Sequence, residues 1–474
     1  MTPTFPLTHA IDPAGTQDHV DSIQKVALGL CTIDLLIFFS RFFDEFGGAY
    51  HLPGFVLLLL IVTSLVTGKS LYGFSNKAGR FMLAFVAWVT VTLVFSIWRS
   101  NSIPNYEALL LALVYFAVVS GLVSTLRQVR RIMSTLAVSF LIAALMGFVF
   151  RDAQNGERLK LAIGTYHDPN QYAMCLLMGI PLWWFMAASS KTKPVKVLCY
   201  LCTLPMFLVF FQTGSRGGIL GLAAVILLNF LTASLGKKVV LVAATVIGAI
   251  VAVAVMPSYI KMRYQTFFDS SAVDLSSQTD ENAFLLKGDM DSEAGRKTLF
   301  LKSITMTINN PIFGVGPGNF PTAVFSHARE SGEQYAWLVC HNAYTQISSE
   351  TGIPGLILFV AILFCSVSNL NNVLRVTGPL GARPWPDMWQ AASYLRMTLA
   401  GTSICMVFLS AGFTPEIYVL AGLTVGLERV LRIEMAKTAP VSVPNPSFSA
   451  GFVRQPRVAA PNPQESRWAK PHSL

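Results

Sequence analysis

Residues 217–257 read GGILGLAAVILLNFLTASLGKKVVLVAATVIGAIVAVAVMP. They form two continuous apolar runs, 217–235 and 238–257, joined at Lys237 and Lys238. A bilayer-spanning helix needs about 20 mostly apolar residues, and only helices or closed barrels satisfy all backbone polar groups in lipid. Because neither run alternates apolar and polar residues, as a barrel strand does, the stretch predicts two membrane-spanning helices.

The same pattern recurs along the chain, so the predicted fold class is an all-α polytopic membrane protein with about 12 transmembrane helices. Only 13% of the 474 residues are charged and 53% are hydrophobic. A soluble chain carries about 25% charge, which it needs to solvate its surface. The other ten apolar runs lie near 24–43, 52–68, 81–98, 107–126, 132–150, 171–189, 195–212, 352–372, 394–412 and 415–431.

The net charge of +10 is explained by loop charge that follows membrane topology. No block of Lys and Arg with interleaved aromatic residues lies outside the membrane runs, so a nucleic-acid partner is not expected. The short loops on one side of the membrane carry more Lys and Arg than those on the other side. The side with more basic residues should be cytoplasmic, which places both termini in the cytoplasm. The basic residues of the richer loops are Lys69, Lys77, Arg80, Arg127, Arg130, Arg131, Lys191, Lys193, Lys196, Lys237, Lys238, Arg375 and Arg383.

The predicted organisation has five parts. The long outer loop is the most unusual of them, because long connections in compact proteins are commonly either functional or disordered. Within that loop, Phe300, Ile304 and Ile308 are four residues apart and predict a helix over 292–309, with Ser292 as its N-cap. The parts are a cytoplasmic tail (1–23), helices 1–9 (24–257), the large loop (258–340), helices 10–12 (341–431) and a disordered cytoplasmic tail (432–474).

Cysteine usage indicates neither a disulfide framework nor a metal centre. The seven cysteines are dispersed, and six lie in apolar runs. Cys199 and Cys202 form a C-x-x-C inside an apolar helix without further ligands. No cofactor and no metal are expected.

Two polar clusters on the outer side are candidate binding sites. The segment 164–173, GTYHDPNQYA, offers Asp168, Asn170 and Gln171 as directional hydrogen-bonding groups, and is equally readable as a capped helix start. The turn 212–218, QTGSRGG, places Ser215 and Arg216 at a helix N-terminus. Arg216 either extends to lipid headgroups or, with the backbone N–H groups, binds a phosphate.

Two further clusters belong to the long loop and its end. Arg296 precedes the glycine-rich segment 310–320, NPIFGVGPGNF, whose spacing does not match a dinucleotide-binding motif. The segment 341–346, HNAYTQ, brings His341, Asn342 and Tyr344 to the start of a helix that also carries Glu350. A histidine with a pKa near neutral is the commonest general base, although a single interfacial histidine is often structural.

These motifs, taken in order over residues 160–370, resemble the O-antigen ligase family. That family also contains oligosaccharide-unit polymerases and protein O-oligosaccharyltransferases. The matching features are Gly-Ser-Arg-Gly at 214–217, an arginine in the long loop, Gly-Val-Gly-Pro-Gly-Asn-Phe at 314–320, His-Asn-x-Tyr at 341–344 and Glu-x-Gly-x-x-Gly-Leu at 350–356.

The resemblance implies metal-independent, inverting glycosyl transfer at the periplasmic face of a bacterial inner membrane. The donor would be a glycan on undecaprenyl diphosphate, and the acceptor a sugar hydroxyl of lipid A-core or of a growing polysaccharide. By this resemblance Arg216 and Arg296 bind the donor diphosphate and His341 activates the acceptor. The expected substrate-binding residues are Ser215, Asn342, Tyr344, Glu350, Asp168, Asn170 and Gln171.

Three other functions remain open at this point. A polymerase shares the motifs with a ligase, and the ligase is the favoured interpretation. A secondary transporter also has about 12 helices, but transporters commonly show internal repeats and midplane polar groups, for which Asp34 is the main candidate here. A non-catalytic scaffold would not need His341 or Arg216.

Overall fold

The computed structural model describes residues 13–43, 52–150, 158–161, 164–265, 280–330, 338–378 and 385–438, with side chains from residue 22 in the first helix and from residue 295 in the twelfth. Every regular element in these ranges is helical, which confirms the all-α prediction. The α-helices are α1 Pro13–Ser40, α2 Leu52–Val66, α3 Lys77–Val94, α4 Arg99–Leu122, α5 Leu126–Val149, α6 Pro169–Ser189, α7 Lys193–Leu201, α8 Thr203–Gln212, α9 Arg216–Thr232, α10 Leu235–Val255, α11 Ser258–Gln265, α12 Asp280–Asn309, α13 Phe320–Glu330, α14 Ala343–Val376, α15 Pro386–Cys405 and α16 Pro415–Thr438.

All twelve predicted apolar runs fall on helices, and the polytopic membrane fold is confirmed. In the described ranges, nine spans are long and apolar enough to cross a bilayer, with α7 and α8 counted together. A tenth is formed if α2 and the 3₁₀ segment Lys69–Ser75, bent by 76°, count as one span. The other two predicted runs are α9, which has only 17 residues, and α16, which carries charged residues such as Glu416 and Glu428.

The last helix, α16, lies at the centre of the bundle and packs against α4, α14 and α15. Its residues from Pro415 to Glu428 are all buried. At Gly422 a side-chain Cβ would come within 2.9 Å of the Phe116 carbonyl oxygen, so glycine permits the close approach of α4. Small residues serve this purpose in membrane bundles, where close packing has to replace the hydrophobic driving force.

Helix α14 is interrupted at Gly352, whose φ is 74° and ψ is 178°. The interruption deprives two buried carbonyls of their helical donors, because Pro354 has no N–H and Ile353 N donates instead to the Pro311 carbonyl at 2.8 Å. The loop 311–319 supplies the missing donors: Val315 N bonds the Ser349 carbonyl at 3.0 Å, and Gly316 N bonds the Glu350 carbonyl at 2.9 Å. The loop and the helix break are therefore one structural unit.

The long loop is more helical than the sequence predicts. Helix α12 begins at Asp280, so the predicted N-cap at Ser292 is wrong: the residue lies inside the helix. The spacing of Phe300 and Ile304 correctly indicates a helix, but both side chains are exposed, whereas Leu299 and Ser303 on the neighbouring face are buried. The packed face of α12 is thus offset from the predicted apolar stripe.

Both predicted tails overlap helices. Helix α1 begins at Pro13 within the predicted N-terminal tail, and α16 continues to Thr438, so residues 432–438 are helical rather than disordered. The rest of the predicted C-terminal tail, 439–474, lies outside the described residues.

We expect Gly352→Ala to destabilise the unit formed by the helix break and the loop. A Cβ at Gly352 would lie 1.9 Å from the Ile312 carbonyl oxygen, and the backbone at φ 74° and ψ 178° is in a region almost restricted to glycine, which costs another residue about 1–3 kcal/mol. The measurement is the thermal unfolding midpoint of the purified protein in detergent. The matched control is Gly248→Ala in α10, where a Cβ meets nothing within 4 Å. An equal midpoint for both variants would contradict the assigned role of the break.

Candidate functional site

The turn before α9 presents an arginine at a helix N-terminus, as the sequence predicts. Ser215 is the N-cap, and its hydroxyl accepts a hydrogen bond from Gly218 N at 3.1 Å. Gly214 has a φ of 60°, which lets the backbone reverse immediately before the cap. Arg216, the first residue of α9, is half-buried. The partial positive charge of the helix N-terminus adds to that of its guanidinium.

Two arginines that the motif analysis did not select also bind this turn. Arg263 of α11 is 4% exposed, and its Nε donates to the Gly214 carbonyl at 2.9 Å. Arg158 donates from Nε to the Thr213 carbonyl at 2.8 Å and from Nη2 to Asn170 Oδ1 at 2.7 Å. Arg216 in turn donates to the Arg263 carbonyl at 3.2 Å. Two guanidiniums therefore bond the turn, and a third arginine begins the helix that follows it, an arrangement suited to an anion.

His341 stands in a strained backbone position before α14. Its φ of 56° lies in the left-handed region, which is uncommon for residues other than glycine. Its N–H donates to Ser410 Oγ at 2.8 Å, and Nδ1 is buried without a hydrogen-bond partner in the described part of the chain. Strain of this kind is concentrated at functional sites, where the surrounding structure must hold it in place.

The charges around His341 come from three separate parts of the chain. Burial lowers the pKa of His341 below its ordinary value of 6.5. The positive charge of Arg296 lowers this pKa further, Asp168 raises it, and Arg158 lowers it. The imidazole is therefore neutral at pH 7 and able to accept a proton.

Arg296 is brought to the histidine by the packing of α12. Leu299, one turn after Arg296, is buried in a cluster with Phe320, Val324 and Cys340, the residue before His341. Thr307 Oγ1 and Ser348 Oγ, 2.8 Å apart, join α12 to α14 further along. The long loop thus positions Arg296 next to His341.

The predicted substrate-binding residues Asp168, Asn170 and Gln171 fall into two groups in the structure. Asp168 is the N-cap of α6, and its Oδ1 accepts hydrogen bonds from Asn170 N at 2.7 Å and from Asn170 Nδ2 at 3.2 Å. With Arg158, these two residues connect the α9 turn to the surroundings of His341. Gln171 instead donates to Glu416 Oε1 at 3.2 Å, inside the bundle.

Four other predicted substrate-binding residues make hydrogen bonds within the protein. Asn342 Oδ1 caps α14 by accepting from Tyr344 N at 2.9 Å and Thr345 N at 3.0 Å. Tyr344 Oη donates to the Ser403 carbonyl at 2.9 Å. Ser215 caps α9, as described above. The fourth, Glu350, lies beneath the glycine-rich loop.

Glu350 is 2% exposed, and both of its carboxylate oxygens accept backbone hydrogen bonds. Oε2 accepts from Gly318 N at 2.6 Å, and Oε1 accepts from Phe320 N at 3.3 Å, at the N-terminus of α13. On the other side of the loop, Asn319 Nδ2 donates to Ser96 Oγ at 2.7 Å and Ser102 Oγ at 2.9 Å. Glu350 therefore anchors the loop and the following helix.

The fold and the site together define a polytopic, all-α membrane protein with a cluster of arginines and a strained histidine at one end of its bundle. Among the described residues, no group of three or more His, Cys, Asp and Glu side chains is placed to hold a metal ion. Residues 201–360 match the model of the O-antigen ligase family, which confirms the resemblance predicted from the motifs. The matched range contains Arg216, Arg263, Arg296, His341 and Glu350.

Two broader comparisons add little to this result. No curated protein matches the sequence significantly. A solved structure described as "Structural coordination of polymerization and crosslinking by a peptidoglycan synthase complex" aligns at 14% identity with a TM-score of 0.42, covering 77% of this chain and 98% of that chain. A likeness of this size supports no functional argument.

We expect Glu350→Gln to loosen the loop 311–319. An amide oxygen can replace one carboxylate acceptor, but its NH₂ group would face the other backbone donor, and an unsatisfied buried group costs about 1–3 kcal/mol. The thermal unfolding midpoint and protease sensitivity of the loop measure the effect. Glu434→Gln is the control, because Glu434 pairs with Lys437 at the surface. Equal behaviour of the two variants would remove Glu350 as the anchor.

Proposed function

We propose that this protein is an O-antigen ligase-like glycosyltransferase, which moves a glycan from undecaprenyl diphosphate to a sugar hydroxyl of lipid A-core at the periplasmic face. The observation that carries the proposal is the grouping of Arg158, Arg216 and Arg263 at the α9 turn, together with the charges of Arg158 and Arg296 that both act on His341. The match of residues 201–360 to the O-antigen ligase family supports it.

A polyprenyl diphosphate is a suitable ligand for this arrangement. Its head group carries several negative charges, and its tail requires a protein embedded in hydrocarbon. Guanidiniums bind phosphate oxygens through paired N–H donors, and donors fixed in advance stabilise charge that develops in the transition state. Arg216 and Arg296 bind the diphosphate in this proposal, while Arg158 and Arg263 hold the α9 turn and add positive potential.

The reaction itself needs one bond exchange. The acceptor oxygen attacks the anomeric carbon as the bond from that carbon to the diphosphate oxygen breaks, and the electron pair leaves with the diphosphate. A single displacement of this kind inverts the anomeric configuration. The acceptor proton passes to the neutral imidazole of His341, whose Nδ1 has no hydrogen-bond partner among the described residues.

The remaining candidate residues have different roles in this proposal. Asp168 is half-buried near Arg158 and is the group we assign to acceptor or donor sugar hydroxyls, whereas Asn170 is 6% exposed and bonds Arg158 and Asp168 with its amide group, so it acts through them. Ser215, Asn342, Tyr344, Glu350 and Gln171 act indirectly, because their polar atoms bond to the protein and position the turn, the histidine and the loop.

An oligosaccharide-unit or exopolysaccharide polymerase is the second candidate, since the same family resemblance covers it. The two reactions share the donor and differ in the acceptor, so the same residues serve both. The transporter alternative, which the number of helices left open and for which Asp34 was the main midplane candidate, gains no support from the family match.

We expect Arg216→Ala and Arg296→Ala each to lower glycan transfer by about 10²–10³-fold, because each removes a donor to the leaving diphosphate. His341→Ala should lower transfer by about 10²–10⁴-fold through loss of the base. The assay is complementation of a deletion strain, read on a lipopolysaccharide gel, with membrane levels measured in parallel. Arg99→Ala is the control, because Arg99 is exposed and, among the residues that the structure describes, its side chain donates to the Val94 carbonyl alone.

The same gel separates the two candidate activities. A deletion strain of a ligase loses all capping glycan, whereas that of a polymerase keeps a single unit. Full complementation by Arg216→Ala or His341→Ala would exclude the proposed site.

We expect the acid limb of the pH profile of kcat/KM to lie below pH 6.5, because the lowered pKa of His341 keeps the imidazole neutral to lower pH. Arg296→Gln should move the limb to higher pH, since Arg296 lowers that pKa. In vitro transfer from a purified lipid-linked glycan gives the profile, and Arg99→Gln should leave the limb in place. A limb that does not move in Arg296→Gln would contradict the assigned electrostatic coupling.

A further inference from the structure

A cavity of about 560 Å³ opens between α1 and α5, away from the site described above. Arg131 lies at its mouth, and about 27 Å of helix axis separates this residue from Val149 at the other end of α5. The Val149 end leads toward the α9 turn, where Leu159 N bonds the Gln212 carbonyl. The cavity is lined by Thr32, Ile33, Leu36, Arg127, Arg130, Arg131, Ser134, Thr135 and Val138.

Three of the lining residues are arginines on one face of α5. Residues 127, 130 and 131 are three and four apart, so their side chains are neighbours on the helix surface. They lie in its first turns, which contain no acidic residue, although cations are disfavoured at the positive end of a helix. The arginines therefore interact unfavourably with the positive end of the helix dipole, and a bound anion would offset this repulsion.

The described residues neutralise this charge only in part. Arg130 pairs with Asp387 at 3.2 Å, and both side chains are well exposed. Arg131 donates to the hydroxyl of Thr32 at 3.2 Å, which fixes its guanidinium across the cavity without neutralising it. Arg127 is exposed and forms no ion pair with a described residue. Two net positive charges remain at the mouth.

Three other lining residues of the cavity are apolar, and two of them are exposed on the outside of the bundle. Ile33 is 50% exposed and Val138 is 37% exposed, and Leu36 lies one turn after Ile33. In a bilayer, exposed apolar side chains of this kind face hydrocarbon. The cavity thus combines a cationic mouth with a groove that is open to lipid tails.

We propose that this cavity binds an anionic phospholipid, with its phosphate at Arg127 and Arg131 and one acyl chain along Ile33, Leu36 and Val138. Topology-determined loop charge explains basic residues at a membrane surface, but it requires neither a cavity nor an apolar groove beneath them. Basic pockets between transmembrane helices are suited to anionic head groups. The inference is independent of the glycosyltransferase proposal, since no residue is shared between the two sites.

Native mass spectrometry of the full-length protein in detergent tests this site. Phosphatidylglycerol should bind as a single retained lipid, and phosphatidylethanolamine should not. The double variant Arg127→Gln/Arg131→Gln should bind phosphatidylglycerol about 25-fold more weakly, at about fivefold for each arginine near the head group. Arg80→Gln/Arg375→Gln is the matched control, because both residues are exposed arginines outside the cavity.

A second variant keeps the test valid if the double variant fails to fold. Val138→Trp leaves all three arginines in place and fills the groove, so it too should lose the retained lipid. Equal binding of phosphatidylethanolamine, an equal loss in the Arg80/Arg375 control or full binding by Val138→Trp would overturn the proposal. So would displacement of phosphatidylglycerol by equimolar glycerol phosphate, which would show a site for free anions.

Discussion

The interruption of α14 at Gly352 is the constraint on which the arrangement of this protein depends. A helix that breaks inside a membrane bundle must find new partners for its backbone, because no water is available there. The loop 311–319 provides those partners to the carbonyls of Ser349 and Glu350, and the Glu350 side chain bonds the loop in return. The loop joins α12 to α13, so this exchange also fixes the helix that carries Arg296.

The electrostatic character of the site follows from that scaffold. Holding several guanidiniums together is unfavourable unless they are hydrogen-bonded and matched by an anion. Here backbone carbonyls of the α9 turn accept hydrogen bonds from Arg158 and Arg263, and Arg216 begins the next helix. Burial lowers the pKa of His341, and the positive charges of Arg296 and Arg158 lower it further, so the imidazole is neutral at pH 7. The site therefore meets both requirements of the proposed reaction, which are a binding site for the diphosphate and an unprotonated base.

The sequence predicts the helices well because their signal is strong and local. The twelve continuous apolar runs all fall on helices, and the cap at Asp168 follows from short-range side-chain chemistry. The start of α12 was missed because charged residues and Gly288 surround the short apolar group 283–286, so that the segment reads as part of a polar loop. Arg158 and Arg263 were missed because each reaches the site through carbonyls some 50 residues away, as the pair Arg263–Gly214 shows. A single arginine in a short polar segment belongs to no sequence motif from which such a contact could be predicted.

The roles of individual polar residues were also harder to predict than their positions. Glu350 and Gln171 occupy motif positions, yet Glu350 bonds backbone N–H groups and Gln171 bonds Glu416. Whether a polar side chain faces a ligand or supports the scaffold depends on the packing of distant helices, which local sequence does not encode.

The most direct test of the central claim is a cryo-electron microscopy structure of the full-length protein in lipid nanodiscs with undecaprenyl diphosphate. The account predicts the diphosphate about 3 Å from the guanidiniums of both Arg216 and Arg296, with its free end directed toward His341. A diphosphate bound elsewhere, or two guanidiniums that point to separate sides of the bundle, would contradict it.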